Sequence, residues 1–276
     1  MGKTLMQTSD RINCEMEIFN MNTSVKMLVT DLDDTLLKTD KTVSNRTKTV
    51  LNQCREAGIK IVYATGRGDD AAELLPVELF NGRVVNNGAT AAIDDTVIYS
   101  RPIPYETARP ILLACDRRGL QVVSQNGDMN YANYVVSDVS PLVENFEIVD
   151  FALHDKDAEK IYINNCIPDV VAFIESLLPD DLYLVLSRNK VGQIMHRDAT
   201  KAKGVAALAK QWGIAQSEVV AFGDDLNDKD MLLYAGIGVA MGNALEEIKA
   251  VADSICSVSD KDGIAEWIST NLMHKG

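Results

Sequence analysis

The chain has 276 residues, with 27 Lys and Arg against 40 Asp and Glu, a formal charge of −13. That balance argues against nucleic acid or an anionic membrane surface as partners, because both need a basic footprint. With 46% apolar and 24% charged residues there is material for a sizeable core, which excludes disorder as the main state.

The first 24 residues are polar and aperiodic, lack the apolar stretch of a secretory signal, and read as a loose extension over 1–24. VKMLVT (Val25–Thr30) is then a short apolar, β-branched run, as in a buried parallel strand, and it ends abruptly in Asp31-Leu32-Asp33-Asp34-Thr35. A helix follows, capped by Ser44, with Val50, Leu51, Cys54 and Ala57 on one face and Gly58 as its stop. IKIVYA is the next strand and ends in Thr65-Gly66-Arg67-Gly68, completing a βαβ unit.

The middle of the chain changes character. TVIYS, QVVSQ, NYVVSD, KIYINN and LYLVLS are strand-like, while helical patterns occur only near Glu106–Arg118 and Pro168–Leu178. Many strands with few crossovers predict an α+β layer with antiparallel pairing over 86–189. The last third returns to alternation: helix from Lys201 to Trp212, strand EVVAF ending in Gly223-Asp224-Asp225-Leu226-Asn227-Asp228, then helix, strand, helix, strand and a last helix over Gly263–Leu272. The expectation is a doubly wound, Rossmann-like α/β core of parallel strands over 25–85 and 190–276, with a separate α+β domain inserted at 86–189.

Five cysteines (Cys14, Cys54, Cys115, Cys166, Cys256) stand far apart with no C-x-x-C pair, which reads as free thiols in a reducing compartment. No run approaches the roughly 18 apolar residues of a membrane span. The expected location is therefore the cytoplasm.

Three predicted strands end in polar clusters, at Asp31/Asp33, Thr65/Gly66 and Asp224/Asp225. Ligands of open α/β sheets bind outside the carboxyl ends of the strands, so these clusters can converge on one crevice. Asp31, Asp33 and Asp224 would offer hard oxygen ligands suited to Mg²⁺, and without a cation they would raise one another's pKa. An aspartate can attack phosphorus, and a second carboxyl can protonate the leaving oxygen and then deprotonate water. Thr65 and Gly66 offer a hydroxyl and an unhindered N–H to phosphate oxygens, and Lys203, at a helix start and followed by Gly204, could place an ammonium beside them. His154 and His196 read as structural or surface residues.

DLDDTLL (Asp31–Leu37), ATGR (Ala64–Arg67), KG (Lys203–Gly204) and GDDLNDKDML (Gly223–Leu232) resemble, in order, the four motifs of haloacid dehalogenase-like phosphatases. NNGA (Asn86–Ala89), GVAMGNA (Gly238–Ala244) and Asp262-Gly263 resemble the Cof-type branch. The resemblance runs from Val25 to the C-terminus, and it implies that the domain inserted at 86–189 is a cap that closes over the site and reads the leaving group. It implies Asp31 as nucleophile and Mg²⁺ ligand, Asp33 as general acid/base with its main-chain carbonyl on the metal, and Asp224 as the metal-binding acid. Leu32, Thr65, Gly66, Lys203 and Asn227 match groups that hold phosphate or substrate, with Lys201 as second choice for the lysine, and Asp228 matches a supporting residue. Asp34 stands where glycine is common.

The implied activity is Mg²⁺-dependent hydrolysis of small phosphorylated metabolites through an aspartyl-phosphate. Hexose phosphates come first, with pyridoxal phosphate or flavin mononucleotide as alternatives. A hexose-phosphate mutase or a non-catalytic, Mg²⁺-binding phospho-acceptor are the competing readings. Leaving-group contacts are expected among Asn87–Ala89, Gln125–Asp128 and Arg188–His196.

Overall fold

The computed structural model describes residues 19–21, 24–140, 143, 145–186 and 190–275. Cys14, Arg188, Asn189 and most of the 1–24 extension lie outside the described residues.

Eight strands form the main sheet, in the order Ser254–Ile255, Ile237–Ala240, Val219–Gly223, Met27–Thr30, Lys60–Ala64, Gly82–Val85, Thr90–Ile93, Thr96–Ser100. The first six are mutually parallel and the last two antiparallel. Met27–Thr30 and Lys60–Ala64 are nearly or wholly buried along their length, which explains their continuous apolar runs. From Met27–Thr30 the chain winds one way through Lys60–Ala64 to Gly82–Val85. From Val219–Gly223 it winds the other way, so the strand order reverses between these two neighbours. Right-handed crossovers in opposite directions put helices on both faces, the doubly wound arrangement. Helix Asn45–Glu56 packs beside Gly263–Asn271, and Lys201–Gln211 beside Lys229–Tyr234. Ser44 caps the first of these, its hydroxyl accepting from the Thr47 N–H at 3.0 Å.

The cap is a second sheet of six strands, Leu182–Leu186, Gly192–His196, Lys160–Ile163, Val122–Asn126, Met129–Ala132 and Phe146–Ile148. Helices Tyr105–Arg117 and Pro168–Glu175 share an apolar core with one face of it, built on Ile111, Leu112, Ile161, Ile163, Ile174 and Ile194.

The sheets correct the expected boundaries. Thr90–Ile93 and Thr96–Ser100, the TVIYS run, extend the main sheet as a hairpin instead of opening the cap, so a boundary at 86 falls too early. At the other end Gly192–His196 pairs with Leu182–Leu186 and Lys160–Ile163, so the cap continues past 189. NYVVSD is not a strand: the strand is Met129–Ala132, set by the Gly127 turn at φ 59° that pairs Asn126 with Met129. It ends where the Asn133 side chain accepts from the Val122 N–H at 3.0 Å. Within the 1–24 extension, Phe19–Met21 pairs antiparallel with Met273–Lys275.

Cys54, Cys115, Cys166 and Cys256 are buried free thiols. No helix among the described residues is long and apolar enough to cross a membrane.

Candidate active site

The reversal of strand order builds the site. Thr30 and Phe222 are register partners on adjacent parallel strands, and the next residue, Asp31, donates its N–H to the Phe222 carbonyl at 3.0 Å. Asp31 and Asp224 thus leave neighbouring strand ends side by side. Carboxylate oxygens of Asp31, Asp224 and Asp228 lie within 4.8 Å of one another, all three residues buried. Above them opens a crevice of about 320 Å³, lined on its floor by Asp31, Thr65, Gly66, Asp224 and Asn227.

Lys201 is buried in this cluster, its Nζ 2.6 Å from Asp31 Oδ1 and 2.7 Å from Asp228 Oδ1. Burial works against its ammonium, but Asp228 and Asp31 outweigh burial and hold it above the ordinary lysine value. Burial pushes the Asp31 carboxyl well above the usual range; Lys201 pulls against that, while Asp228 and Asp224 add to it. Asp224 is pushed up to about 7 by burial and by the charge of Asp228, although the Thr35 hydroxyl donates to it at 2.9 Å. Asp228 is fully committed: Oδ1 to Lys201, Oδ2 to the N–H groups of Asp224 and Asp225 at 2.9 and 3.1 Å. Ionising all three carboxylates against one ammonium would leave the cluster two negative charges in excess, which a divalent cation among these hard oxygens would balance. The donor set therefore fits such an ion.

Asp33 lines the same crevice but stands outside the carboxylate cluster. Arg67 grips it with two hydrogen bonds, Nε to Oδ2 at 2.6 Å and NH2 to Oδ1 at 2.8 Å, and Lys41 Nζ adds a third at 2.8 Å. Burial favours its neutral form, but Arg67 and Lys41 outweigh this and hold its pKa at about 2. Asp34, where glycine is common in the resembling motif, sits at φ 60°, the left-handed backbone that explains a preference for glycine there.

Thr65 is buried, and its hydroxyl accepts from the Arg67 N–H at 3.1 Å. Gly66 and Gly68 are needed for close approach: a Cβ on Gly66 would lie 2.9 Å from Asn87 Oδ1, and one on Gly68 would lie 2.6 Å from Gln125 Nε2 of the cap. Asn227 donates to Asn87 Oδ1 at 2.9 Å, joining the Asp224 loop to the turn that follows strand Gly82–Val85. Leu32 is fully buried in the apolar core, so any phosphate contact there falls to its backbone.

Lys203 does not reach the crevice. Its ammonium pairs with Asp198 on a half-exposed flank, and Lys201 occupies the position expected of it. The helix dictates this. Lys201, Gly204, Val205 and Leu208 form its buried stripe at spacings of three and four, and Lys203 falls outside it. Gly204 serves packing, since a Cβ there would lie 2.6 Å from Val84 Cγ1.

Of the expected leaving-group residues, Asn87 and Gln193 line the crevice, with Gln125 adjoining it at Gly68. Lys160, not among those expected, lines it too, its Nζ donating to the Gly66 carbonyl at 2.9 Å. Its signal was the alternation in KIYIN, with Lys160, Tyr162 and Asn164 on one face and Ile161 and Ile163 on the other.

Known proteins resemble this chain in sequence and in fold. The phosphatase YwpJ of Bacillus subtilis is 30% identical over 283 residues, covering 88% of this chain and 99% of its own. The 5-amino-6-(5-phospho-D-ribitylamino)uracil phosphatase YitU of the same organism is 26% identical over 268 residues, covering 90% and 98%. The solved subclass IIB sugar phosphatase BT4131 superposes with a TM-score of 0.77 at 25% identity, covering 89% of this chain and 98% of its own. A family model for haloacid dehalogenase-like hydrolases matches residues 28–268, from the strand that carries Asp31 to the last helix. With nearly the whole described fold inside that match and phosphatases among its relatives, the chain belongs to the haloacid dehalogenase-like hydrolases and is a phosphoric monoester hydrolase.

Proposed function

We propose that the protein is a Mg²⁺-dependent phosphatase of small phosphorylated metabolites, sugar phosphates first, working in the cytoplasm through an aspartyl-phosphate on Asp31. The observation that carries this reading is the placement of Asp31 at the strand reversal, between Lys201 and Asp224 at the floor of the crevice. YitU, named for a phosphorylated ribitylamino-uracil, and the sugar phosphatase BT4131 favour polyol or sugar esters.

In this mechanism Asp31 attacks phosphorus from below while Lys201, Thr65 and the Gly66 N–H take the phosphoryl oxygens. Asp33 hands its proton to the leaving oxygen and later takes one from the attacking water. As it stands, Asp33 is ionised in the grip of Arg67, the form suited to the second step, so the first step requires that Arg67 release it and that it take up a proton from solvent as the ester enters. The carboxylates of Asp31 and Asp224, with the Asp33 main-chain carbonyl, would hold Mg²⁺. Once bound, that ion supplies the positive charge that lets an anionic nucleophile meet an anionic ester. Asp228 steadies Lys201 and the Asp224 loop.

A Mg²⁺-supplemented screen of phosphorylated metabolites, ranked by kcat/KM, tests the reading. Asp31→Asn is expected to abolish phosphate release while the circular dichroism spectrum stays native. Full activity in that variant would sink the mechanism.

A further inference from the structure

Arg67 and Lys160 line the crevice and Lys201 lies buried beside it, and these three cations are not alike. Arg67 is bound to Asp33, and Lys201 to Asp31 and Asp228. Lys160 comes from the cap and is 8% exposed, and among the described residues its hydrogen bond goes to a neutral acceptor, the Gly66 carbonyl. An ammonium carries three donors, so two remain for whatever enters beside it. Burial lowers its pKa to about 8, against the charges of Asp70 and Glu159.

Position says what those donors meet. Displacement at phosphorus is in line, so a leaving group departs on the side opposite Asp31. Asp31 lies on the core floor, and the cap residues lining the crevice are Lys160 and Gln193. Gln193 Oε1 accepts from Asn87 Nδ2 at 3.3 Å, which aims its amide along the same wall. Their strands pair in the cap sheet, with Tyr162 opposite Gln193, and the wall is polar, not apolar.

Building on the phosphatase reading above, we propose that Lys160 is a specificity-determining residue. Its ammonium, with the Gln193 amide, binds a hydroxyl oxygen of the leaving group and selects polyhydroxylated phosphate esters over plain alkyl esters. An amide and an ammonium match a hydroxyl, which accepts from one and can bond the other, whereas an alkyl chain would leave their remaining donors unsatisfied in a buried site.

The test is a ratio of kcat/KM values. The numerator is the fastest of glucose 6-phosphate, ribose 5-phosphate and erythrose 4-phosphate, and the denominator is n-butyl phosphate. The wild-type ratio is expected to exceed one, and Lys160→Met is expected to lower it by about 10- to 100-fold, the size of a charged hydrogen bond. Gln193→Leu, which leaves the Lys160–Gly66 contact in place, is expected to lower it in the same direction. If Lys160 merely ties the cap to Gly66, both esters suffer equally and the ratio stays within about twofold, which overturns the proposal. A wild-type preference for n-butyl phosphate overturns it as well. Failure of the phosphatase reading looks different, as no phosphate release from any ester. Selection is then read by calorimetric titration of the same esters into Mg²⁺-loaded protein, where equal affinities for wild type and Lys160→Met would reject it.

Discussion

Lys201 Nζ lies 2.6 Å from Asp31 Oδ1, a buried contact between residues 170 positions apart in the chain. It ties the first turn of a helix that follows the cap to the strand that precedes it. The cap insertion is therefore closed at its base by the same ion pair that serves the proposed nucleophile. Lys201 keeps an anionic Asp31 tolerable in a site whose burial favours the neutral acid.

Lys201→Met is accordingly expected to lower kcat/KM by at least about 100-fold, since it strips charge from both the phosphate site and Asp31. It also leaves Asp228 buried without its ammonium, a change that costs roughly 3–5 kcal/mol where one partner of a buried pair is removed. Lys203→Met is expected to leave turnover within about twofold and stability within about 0.5 kcal/mol, as for other exposed pairs. Steady-state kinetics and urea denaturation of the two variants, run side by side, decide which lysine serves the site.

Much of this site was legible in the sequence, because Asp31, Thr65 and Asp224 each directly follow an apolar strand run, and strand ends in such sheets meet at one crevice. Lys203 stands out in the letters because a glycine follows it, but Gly204 is small in order to pack on Val84. The buried stripe 201, 204, 205, 208 was present in the letters and points to Lys201. The hairpin of Thr90–Ile93 and Thr96–Ser100 was less accessible. Its composition suits either sheet, and partner choice is tertiary information that local pattern does not hold. The grip of Arg67 on Asp33 likewise depends on a loop returning across 34 residues.

Divalent cations are expected to stabilise the folded protein, because three clustered carboxylates offer hard oxygen ligands and share a single ammonium. Binding to the native state alone contributes about 2.7 kcal/mol at a free concentration of 100 Kd. Scanning calorimetry should therefore show a higher Tm in Mg²⁺ than in EDTA, with hydrolysis lost in EDTA and restored on adding Mg²⁺. In Asp224→Asn the Tm difference should shrink sharply. An equal Mg²⁺ shift in that variant would place the ion elsewhere.

Asp33 sets a pH dependence whose sign follows from its depressed pKa. Folded, it titrates at about 2 because Arg67 and Lys41 outweigh burial; unfolded, an aspartate titrates near about 3.9. The unfolded chain thus binds the proton first as pH falls, and the stabilisation present above about pH 4 drains away towards pH 2. Arg67→Met removes most of that stabilisation. Wild type and variant should differ in urea midpoint at pH 5–7, by a gap that closes as pH approaches about 2. In the variant, the alkaline limb of the kcat/KM profile should move to higher pH, because Asp33 must be protonated to serve the leaving oxygen and then holds its proton more readily. A gap independent of pH would assign the effect to lost packing of the arginine stem instead.

The cap is also tied to the core by Glu159. It accepts from Asn86 Nδ2 at 2.5 Å and from the Thr90 hydroxyl, and from the Gly127 N–H at 3.3 Å within the cap. Asn86 and Thr90 are both buried, so removing the carboxylate leaves donors that water reaches poorly. Each such orphaned group costs roughly 1–3 kcal/mol. Glu159→Ala is thus expected to destabilise the protein by about 2 kcal/mol or more in urea denaturation. Glu159→Gln retains one acceptor oxygen and should lose less than half as much. Because Glu159 adjoins Lys160 in the chain, the alanine variant should also raise KM for hydroxylated esters more than it lowers kcat, as the cap wall loses its fixed place over Asp31. A loss of kcat alone would mean that Glu159 acts on the chemistry, not on the position of the cap.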